Sequence, residues 1–458
     1  MSEKEFIGVS KIYGPIIVLE TSQDISLGEI VEIKDNSGNI QTGRVLKITK
    51  DFVLIQVFGP THSLSLENTR IKFLGRPFLL GVSEEMLGRI FDGKGTPIDG
   101  APPVYTKEKR DINGLPINPC AREYPSEFIQ TGISAIDGLN SIIRGQKIGI
   151  FSGAGLPHNK LAAQILRQAK VLKTSEKFCV ILAGIGLKKE EAQFFIENFK
   201  SSGQALRSVL FLNLVESPPE ERILTPRLAL TLAEYLAFEK DYHVLVILTD
   251  MTNYCQALRE IASFKEEIPS RKGYPGYMYT DLASIYERTG RIKGKRGSIT
   301  QIPILTMPNL DITHPIPDLT GYITEGQIVL SLSLHQKGIY PPIDILFSLS
   351  RLMKDGVGNG KTRSDHLHLA SQLYYAYSQA KNIENLASII GEEDLTPLDK
   401  SYLEFGRVFE NEFINQGFNE ERSIQDTLNI GWKTLRVLPV QELNRVTPEE
   451  IEKYYSKI

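Results

Sequence analysis

The chain has 458 residues, too many for one ordinary core, and its 41% hydrophobic and 23% charged content is that of a globular protein of two or three domains. Lys plus Arg total 52 against 55 Asp plus Glu, and a net charge of −3 gives no global electrostatic case for nucleic acid. No apolar run approaches the roughly 20 residues that span a bilayer, and Met1 to Gly14 lack the apolar core of a signal peptide.

In chain order, the first stretch reads as short strands separated by turns: Pro15 to Leu19, then Ser22-Gln23-Asp24, then Ile30 to Ile33 before Asp35-Asn36-Ser37-Gly38. Gly43 to Ile48, Phe52 to Val57 and Arg70 to Leu74 continue the series, which fits a small antiparallel β-barrel over residues 1–76. A connector rich in Gly and Pro, from Phe91-Asp92-Gly93 to Pro125, excludes long helices before about Ser126. Cys120, Cys179 and Cys255 are odd in number and widely spaced, which argues against a disulfide framework or a zinc site and for a reducing, cytoplasmic compartment.

From Arg144 the pattern becomes strand–helix alternation. Lys147 to Phe151 is an apolar strand, followed by helical spacing of Leu161, Ile165, Ala169 and Leu172. Phe178 to Ala183, Val209 to Leu214 and Val244 to Leu248 are further apolar strands; Lys188 to Phe199 reads as a helix, and Thr225-Pro226 as the start of another. Strands buried on both faces and joined by helices imply a parallel α/β sheet, here over residues 77–362. Residues 363–458 read as helices: His366 to Ile390 ending at a left-handed Gly391, one opened by Thr396-Pro397-Leu398-Asp399, Ser423 to Leu438, and a capping box at Thr447-Pro448-Glu449-Glu450. The fold class is therefore multidomain α/β: barrel, nucleotide-binding-type α/β core, helical bundle.

Between the first core strand and its helix lies Gly153-Ala154-Gly155-Leu156-Pro157-His158-Asn159-Lys160. A working phosphate loop reads G-x-x-x-x-G-K-[ST]. In that frame Gly153 matches, His158 replaces the second glycine, Asn159 the lysine and Lys160 the hydroxyl residue. The changes remove, in turn, close backbone approach to phosphate, the charge on the outer phosphates and the magnesium ligand. Pro157 removes a backbone donor as well. The segment is either a glycine-rich turn or a decayed nucleotide site. Asp250, at the end of the Val244 strand, is either a magnesium-supporting carboxylate or the cap of the next helix. The G-K-T in Gly358 to Thr362 has Asp355 where the first glycine belongs and reads as a surface loop. Arg291 to Arg296 is a basic cluster without aromatic residues, read as a solvated loop rather than a strand-binding element.

Pro341-Pro342-Ile343-Asp344-Ile345-Leu346-Phe347-Ser348-Leu349-Ser350, followed by Arg351, resembles the signature of the rotary ATPase α/β-type subunits. The resemblance extends through Gln130 to Gly138, Arg144-Gly145-Gln146, Tyr274-Pro275-Gly276-Tyr277 and Ile323-Thr324-Glu325-Gly326-Gln327, nearly the whole chain. Within that family the decayed loop looks like the B subunit of V-type and archaeal or bacterial A-type ATPases. Catalytic relatives carry G-E-R-G-x-E after the second core strand; here Leu187 stands at the first Glu, which positions the attacking water, and Glu191 at the second, read as part of a solvated helical face.

The resemblance implies a ring of three A and three B subunits around a rotor stalk, with ATP or ADP and magnesium at A–B interfaces and no cofactor of the chain's own. It implies that Arg351 reaches across as an arginine finger, the alternative being a surface arginine paired with Asp355. It implies central and peripheral stalk partners, no nucleic acid, no membrane insertion, a cytoplasmic place peripheral to the membrane, and coupling to H+ or Na+ transport. The chain itself is expected not to hydrolyse ATP, and its own residues Gly153, Gly155, His158, Asn159 and Lys160 to bind nucleotide poorly. Two other readings stand beside this one: an autonomous hexameric ring ATPase, which needs an intact loop and catalytic Glu, and a purely architectural ring subunit.

Overall fold

The computed structural model describes residues 4–20, 25–172, 176–201 and 203–455, so the turn expected at Ser22-Gln23-Asp24 lies outside the described residues. Seven strands open the chain: β1 (Lys4–Ile7), β2 (Lys11–Tyr13), β3 (Ile16–Glu20), β4 (Ile30–Lys34), β5 (Ile40–Ile48), β6 (Phe52–Val57) and β7 (Arg70–Phe73). They pair antiparallel in the order β1-β7-β4-β5-β6-β3-β2, a curled sheet that stops short of closure among the described residues. Alternate side chains such as Ile17, Val31, Ile33, Val45, Ile55 and Ile71 turn inward, giving this domain its own small core.

The central sheet is built from β8 (Ile90–Asp92), β9 (Gly149–Gly153), β10 (Lys177–Leu187), β11 (Ser208–Leu214), β12 (Tyr242–Thr249), β13 (Ser298–Met307), β14 (Gly326–Leu330) and β15 (Ile343–Ser350). Their order is β15-β14-β9-β13-β12-β10-β11-β8. All these pairs are parallel except β14 with β15, which leaves an antiparallel edge. Residues of β12 divide between two cores, Leu245 and Ile247 to one and Val244, Val246 and Leu248 to the other, so both faces of the sheet are covered. Helices α1 (His158–Gln168), α2 (Lys189–Ser201), α3 (Pro219–Lys240) and α4 (Met251–Phe264) supply the cover. Helices α5 (His366–Ile390), α6 (Pro397–Val408) and α7 (Ile424–Leu435) form the C-terminal bundle and share the first core with α1, through Leu161, Phe405 and Trp432 among others.

Several elements differ from the sequence reading. The helix expected to carry Ala169 and Leu172 ends at Gln168, because Lys170 and Val171 leave it to pair with Gln130 and Ile129. The helix expected to open at Thr225-Pro226 opens at Pro219 instead. Pro219 suits a first turn, where its missing N–H has no intrahelical partner, whereas Pro226 sits inside the helix and Thr225 Oγ1 donates to Glu221 O at 2.6 Å. Gly391 does end α5 with a positive φ of 93°, but its ψ of 151° is outside the left-handed helical region. Part of the basic cluster is ordered structure: Gly290–Ile292 is a strand pairing with Arg122–Glu123 and with β13, and Arg291 Nη1 donates to Glu127 Oε2 at 2.9 Å. Capping boxes at Thr396/Asp399, Ser423/Asp426 and Thr447/Glu450 are formed. Gly358 to Thr362 is a turn with no strand before it, with Lys361 exposed.

Candidate functional site

The glycine-rich turn lies at the C-terminal end of β9, with β13 and β14 as flanking strands, the place where parallel sheets bind ligands. Its groups are already engaged. Leu156 N donates to Gly153 O at 3.1 Å and His158 N to Leu156 O at 2.9 Å, so two amides that would face a phosphate are bonded within the turn. A Cβ at Gly153 would lie 2.2 Å from Leu310 Cδ2 and 3.4 Å from Leu156 Cδ1, so apolar side chains pack against the first glycine. His158 Nδ1 is 3.1 Å from both Ser152 Oγ and Leu156 O. A carbonyl can only accept, so Nδ1 carries the proton.

Asn159, at the lysine position, links α1 to the end of β12 and to α2. Thr249 Oγ1 donates to Asn159 Oδ1 at 3.0 Å, and Asn159 Nδ2 donates to Glu191 Oε1 at 3.0 Å. Glu191 Oε2 also accepts from Lys188 N at 2.9 Å, so Glu191, half-buried on an otherwise exposed first turn, caps the start of α2. Lys160 turns away from the β9 turn: its Nζ lies 4.2 Å from the ring centroid of Tyr340 and 5.3 Å from that of Phe418. Arg167 also covers Phe418, at 4.5 Å. These two rings were not found by the sequence reading, and their separation from Lys160 in the chain left no local signal.

Asp250 is spent as a cap. Its Oδ1 accepts from Thr252 N at 2.7 Å and from Thr306 N at 3.2 Å, and its Oδ2 accepts from the Thr306 hydroxyl. The structure thus favours the helix-capping alternative, with β12, α4 and β13 tied together by one carboxylate. Leu187 is buried at the end of β10 and offers neither acceptor nor base.

Arg351 follows β15 at the antiparallel edge of the sheet and is exposed. Three of the sequence motifs converge on its backbone. Arg351 N donates to Glu325 O at 3.0 Å; Gln146 Nε2 donates to Glu325 O at 3.2 Å and to Ser350 Oγ at 3.1 Å; Ser350 Oγ donates to Ser141 O at 2.8 Å. Glu325 is itself fixed by Lys147, whose N donates to Oε2 at 2.7 Å and whose Nζ contacts Oε1. Gly326 allows the close approach this needs: with φ of +148°, an added Cβ would lie 2.2 Å from Leu349 O. Ser348 Oγ accepts from Val329 N at 2.9 Å where the β14–β15 register shifts, so the signature's first serine repairs that irregularity.

The guanidinium of Arg351, by contrast, has no ion pair or side-chain hydrogen bond among the described residues. Asp355 does not hold it; Asp355 Oδ2 accepts from Tyr124 OH at 3.1 Å. Beside Arg351 the edge strand leaves Phe347 68% and Leu349 53% exposed. Large apolar groups around a free cation mark a surface built to be covered. Among the described residues no helix is long and apolar enough to cross a membrane, and no group of three His, Cys, Asp or Glu is arranged to hold a metal.

Comparisons with known proteins agree with this layout. Residues 9–75 match the family model described as the ATP synthase alpha/beta family, beta-barrel domain, and residues 132–350 its nucleotide-binding domain. Residues 355–455 match the C-terminal domain of V and A type ATP synthase. A solved structure titled as a unique ATP synthase subunit, NeqB, from Nanoarcheaum equitans is 44% identical, covering 92% of this chain and 98% of that one, with a TM-score of 0.73.

Proposed function

Because the chain belongs to the ATP synthase alpha/beta family and carries the C-terminal domain of its V and A types, we propose that it is the non-catalytic B subunit of a V/A-type rotary ATPase head. Members of this family work in multi-subunit ATP synthase complexes, and in our reading the partner is a catalytic A subunit alternating with this chain in a ring of six. The observation that carries the reading is the contrast between two places. At the chain's own turn, Asn159 and Lys160 are engaged elsewhere and Leu187 is apolar. At the sheet edge, Arg351 is held by its backbone and free at its tip.

A guanidinium is always charged and presents a planar fork to the oxygens of a transferring phosphoryl group. Supplied across an interface, such a group contributes about 10³- to 10⁵-fold in rate. Its arrival would couple chemistry to closure of the A–B interface, and that closure to rotor movement and to transport of H+ or Na+ in the membrane part. In this reading ATP or ADP with magnesium sits at the A–B interface, mostly on A; the helical end faces the central stalk; the barrel ties the ring; peripheral stalk subunits complete the assembly at the cytoplasmic face of the membrane.

The test is ATP turnover in three samples: the chain alone, the complex with its A partner, and the complex carrying Arg351→Ala. Turnover only in the second sample is expected. Hydrolysis by the chain alone would replace this reading with an autonomous ring ATPase, and near-normal turnover in the third with a purely architectural subunit.

A further inference from the structure

Arg351 has an acidic residue one helical turn after it. Leu352 is in right-handed helical geometry, Asp355 N donates to Leu352 O at 3.1 Å, and the short helix Met353–Gly356 follows. Residues four apart on such a turn lie on the same face, so Arg351 and Asp355 are the natural pair. The turn is fixed in place. Leu352 and Met353 are buried, and a Cβ at Gly356 would lie 2.0 Å from Ile143 Cδ1, so the short helix sits directly on Ile143. A guanidinium paired with its own carboxylate is a poor ligand for a second anion, because the planar fork that grips two oxygens is already filled.

The pair nevertheless does not form. Asp355 Oδ2 accepts from Tyr124 OH at 3.1 Å, and the Arg351 guanidinium has neither ion pair nor side-chain hydrogen bond among the described residues. Tyr124 follows a segment whose backbone is held. Arg122 and Glu123 pair as a strand with Ile292 and Arg291. The Arg122 guanidinium donates to Thr289 O and Glu287 O, each at 2.8 Å, and to Glu287 Oε2 at 2.6 Å. Glu287 Oε1 lies 3.3 Å from Lys147 Nζ, and Lys147 also holds Glu325, whose carbonyl accepts from Arg351 N. One network thus sets both the backbone of Arg351 and the strand that leads to Tyr124, and it engages the carboxylate of Glu325 as well. The hydrogen bond to Asp355, with smaller contributions from burial and from the charges of Asp355 and Glu325, raises the pKa of the Tyr124 phenol, so it stays a donor.

We propose that Tyr124 is a positioning residue that keeps Arg351 free: its hydroxyl draws the Asp355 carboxylate away from the guanidinium, so that the fork reaches the subunit interface unpaired. This rests on the reading of Arg351 as an arginine supplied in trans. A neutral donor suits the task, since it engages the carboxylate without placing a second cation beside the guanidinium, as a lysine there would. The bond lies at the surface of the single chain, and a partner subunit that excludes water from it would strengthen it.

The test is steady-state turnover of the complex with its A partner in four forms: unaltered, Tyr124→Phe, Asp355→Asn, and both changes together. Tyr124→Phe should lower kcat about two- to fivefold, the share that an exposed arginine–carboxylate pair can withdraw. Asp355→Asn alone should equal or exceed the unaltered complex, and the double variant should regain its rate. Full turnover in Tyr124→Phe, or a loss that persists in the double variant, would overturn the proposal. Arg351→Ala in the same assay separates the two readings. Near-normal turnover there removes the finger and this proposal with it, whereas its inactivity beside an unaffected Tyr124→Phe removes this proposal alone. A crystal structure of the Tyr124→Phe chain by itself gives an arm independent of the reaction. Arg351 should then lie within about 4 Å of Asp355, and an Arg351 still unpaired would overturn the proposal.

Discussion

Lys160 Nζ sits 4.2 Å from the centre of the Tyr340 ring and 5.3 Å from that of Phe418, whose ring meets Tyr340 edge-on. At the position where a working phosphate loop has a hydroxyl for magnesium, this chain has a cation that fills an aromatic slot of its own. An exposed contact of this kind contributes about 0.5–1 kcal/mol. The residue at the loop's hydroxyl position therefore joins α1 to β15's leading turn and to the segment between α6 and α7.

Lys160→Ala should lower unfolding stability by about 0.5–1 kcal/mol in denaturant titrations, through loss of the two ring contacts. The combined variant His158→Gly, Asn159→Lys, Lys160→Thr restores the loop pattern and should gain measurable ATP affinity without hydrolysis, since Leu187 still supplies no carboxylate. No gain in binding of labelled ATP would locate the block in Leu156 and Leu310 rather than in the three changed side chains.

Arg351→Lys should fail almost as fully as Arg351→Ala in turnover of the complex, because a point charge does not reproduce a planar fork. Assembly, followed by gel filtration with the A partner, should be intact in both. Gln146→Ala, which removes the donor to Ser350 Oγ and Glu325 O, should reduce turnover less than loss of Arg351 itself.

Asp250 gives a clean separation between capping and metal binding. Asp250→Ala removes the acceptor for Thr252 N and both Thr306 donors, and should cost roughly 1–2 kcal/mol of stability. Asp250→Asn retains the cap and should recover part of that loss. If magnesium dependence of turnover in the complex shifted in Asp250→Asn while stability held, the capping account would be wrong.

Acid should destabilise the chain through two buried histidines. His366 Nε2 donates to Gly138 O at 3.0 Å and its Nδ1 accepts from Thr362 Oγ1, a neutral ring with no room for a second proton. His243 Nε2 accepts from Arg144 Nη1 at 3.3 Å, so that ring too is neutral. Burial, joined by Arg144 at His243, depresses both pKa values to about 4. The unfolded chain then binds more protons, so this stability is present above about pH 6.5 and is lost as pH falls towards 4, up to about 3 kcal/mol for each ring. His366→Gln should flatten the acid limb of stability measured between pH 7 and 4. An unchanged limb would assign the loss to other groups.

Much of this protein was legible in its sequence, where the controlling interactions are local. Capping boxes such as Thr396 with Asp399 are set within four residues, and strand periodicity is set by the pleat. The three-layer division followed from those signals, and the family from the run ending at Arg351. Tertiary structure decided what depends on contact at long range. It moved the end of α1 to Gln168 by pairing Val171 with Ile129, turned Glu191 from a surface residue into a partner of Asn159, and made Asp250 a cap shared with Thr306. It alone brought Gln146, Glu325 and Ser350 together beneath Arg351. A side chain's rotamer preferences and charge are written at its own position, but the partners that satisfy it are chosen by the folded backbone, which gathers residues hundreds of positions apart.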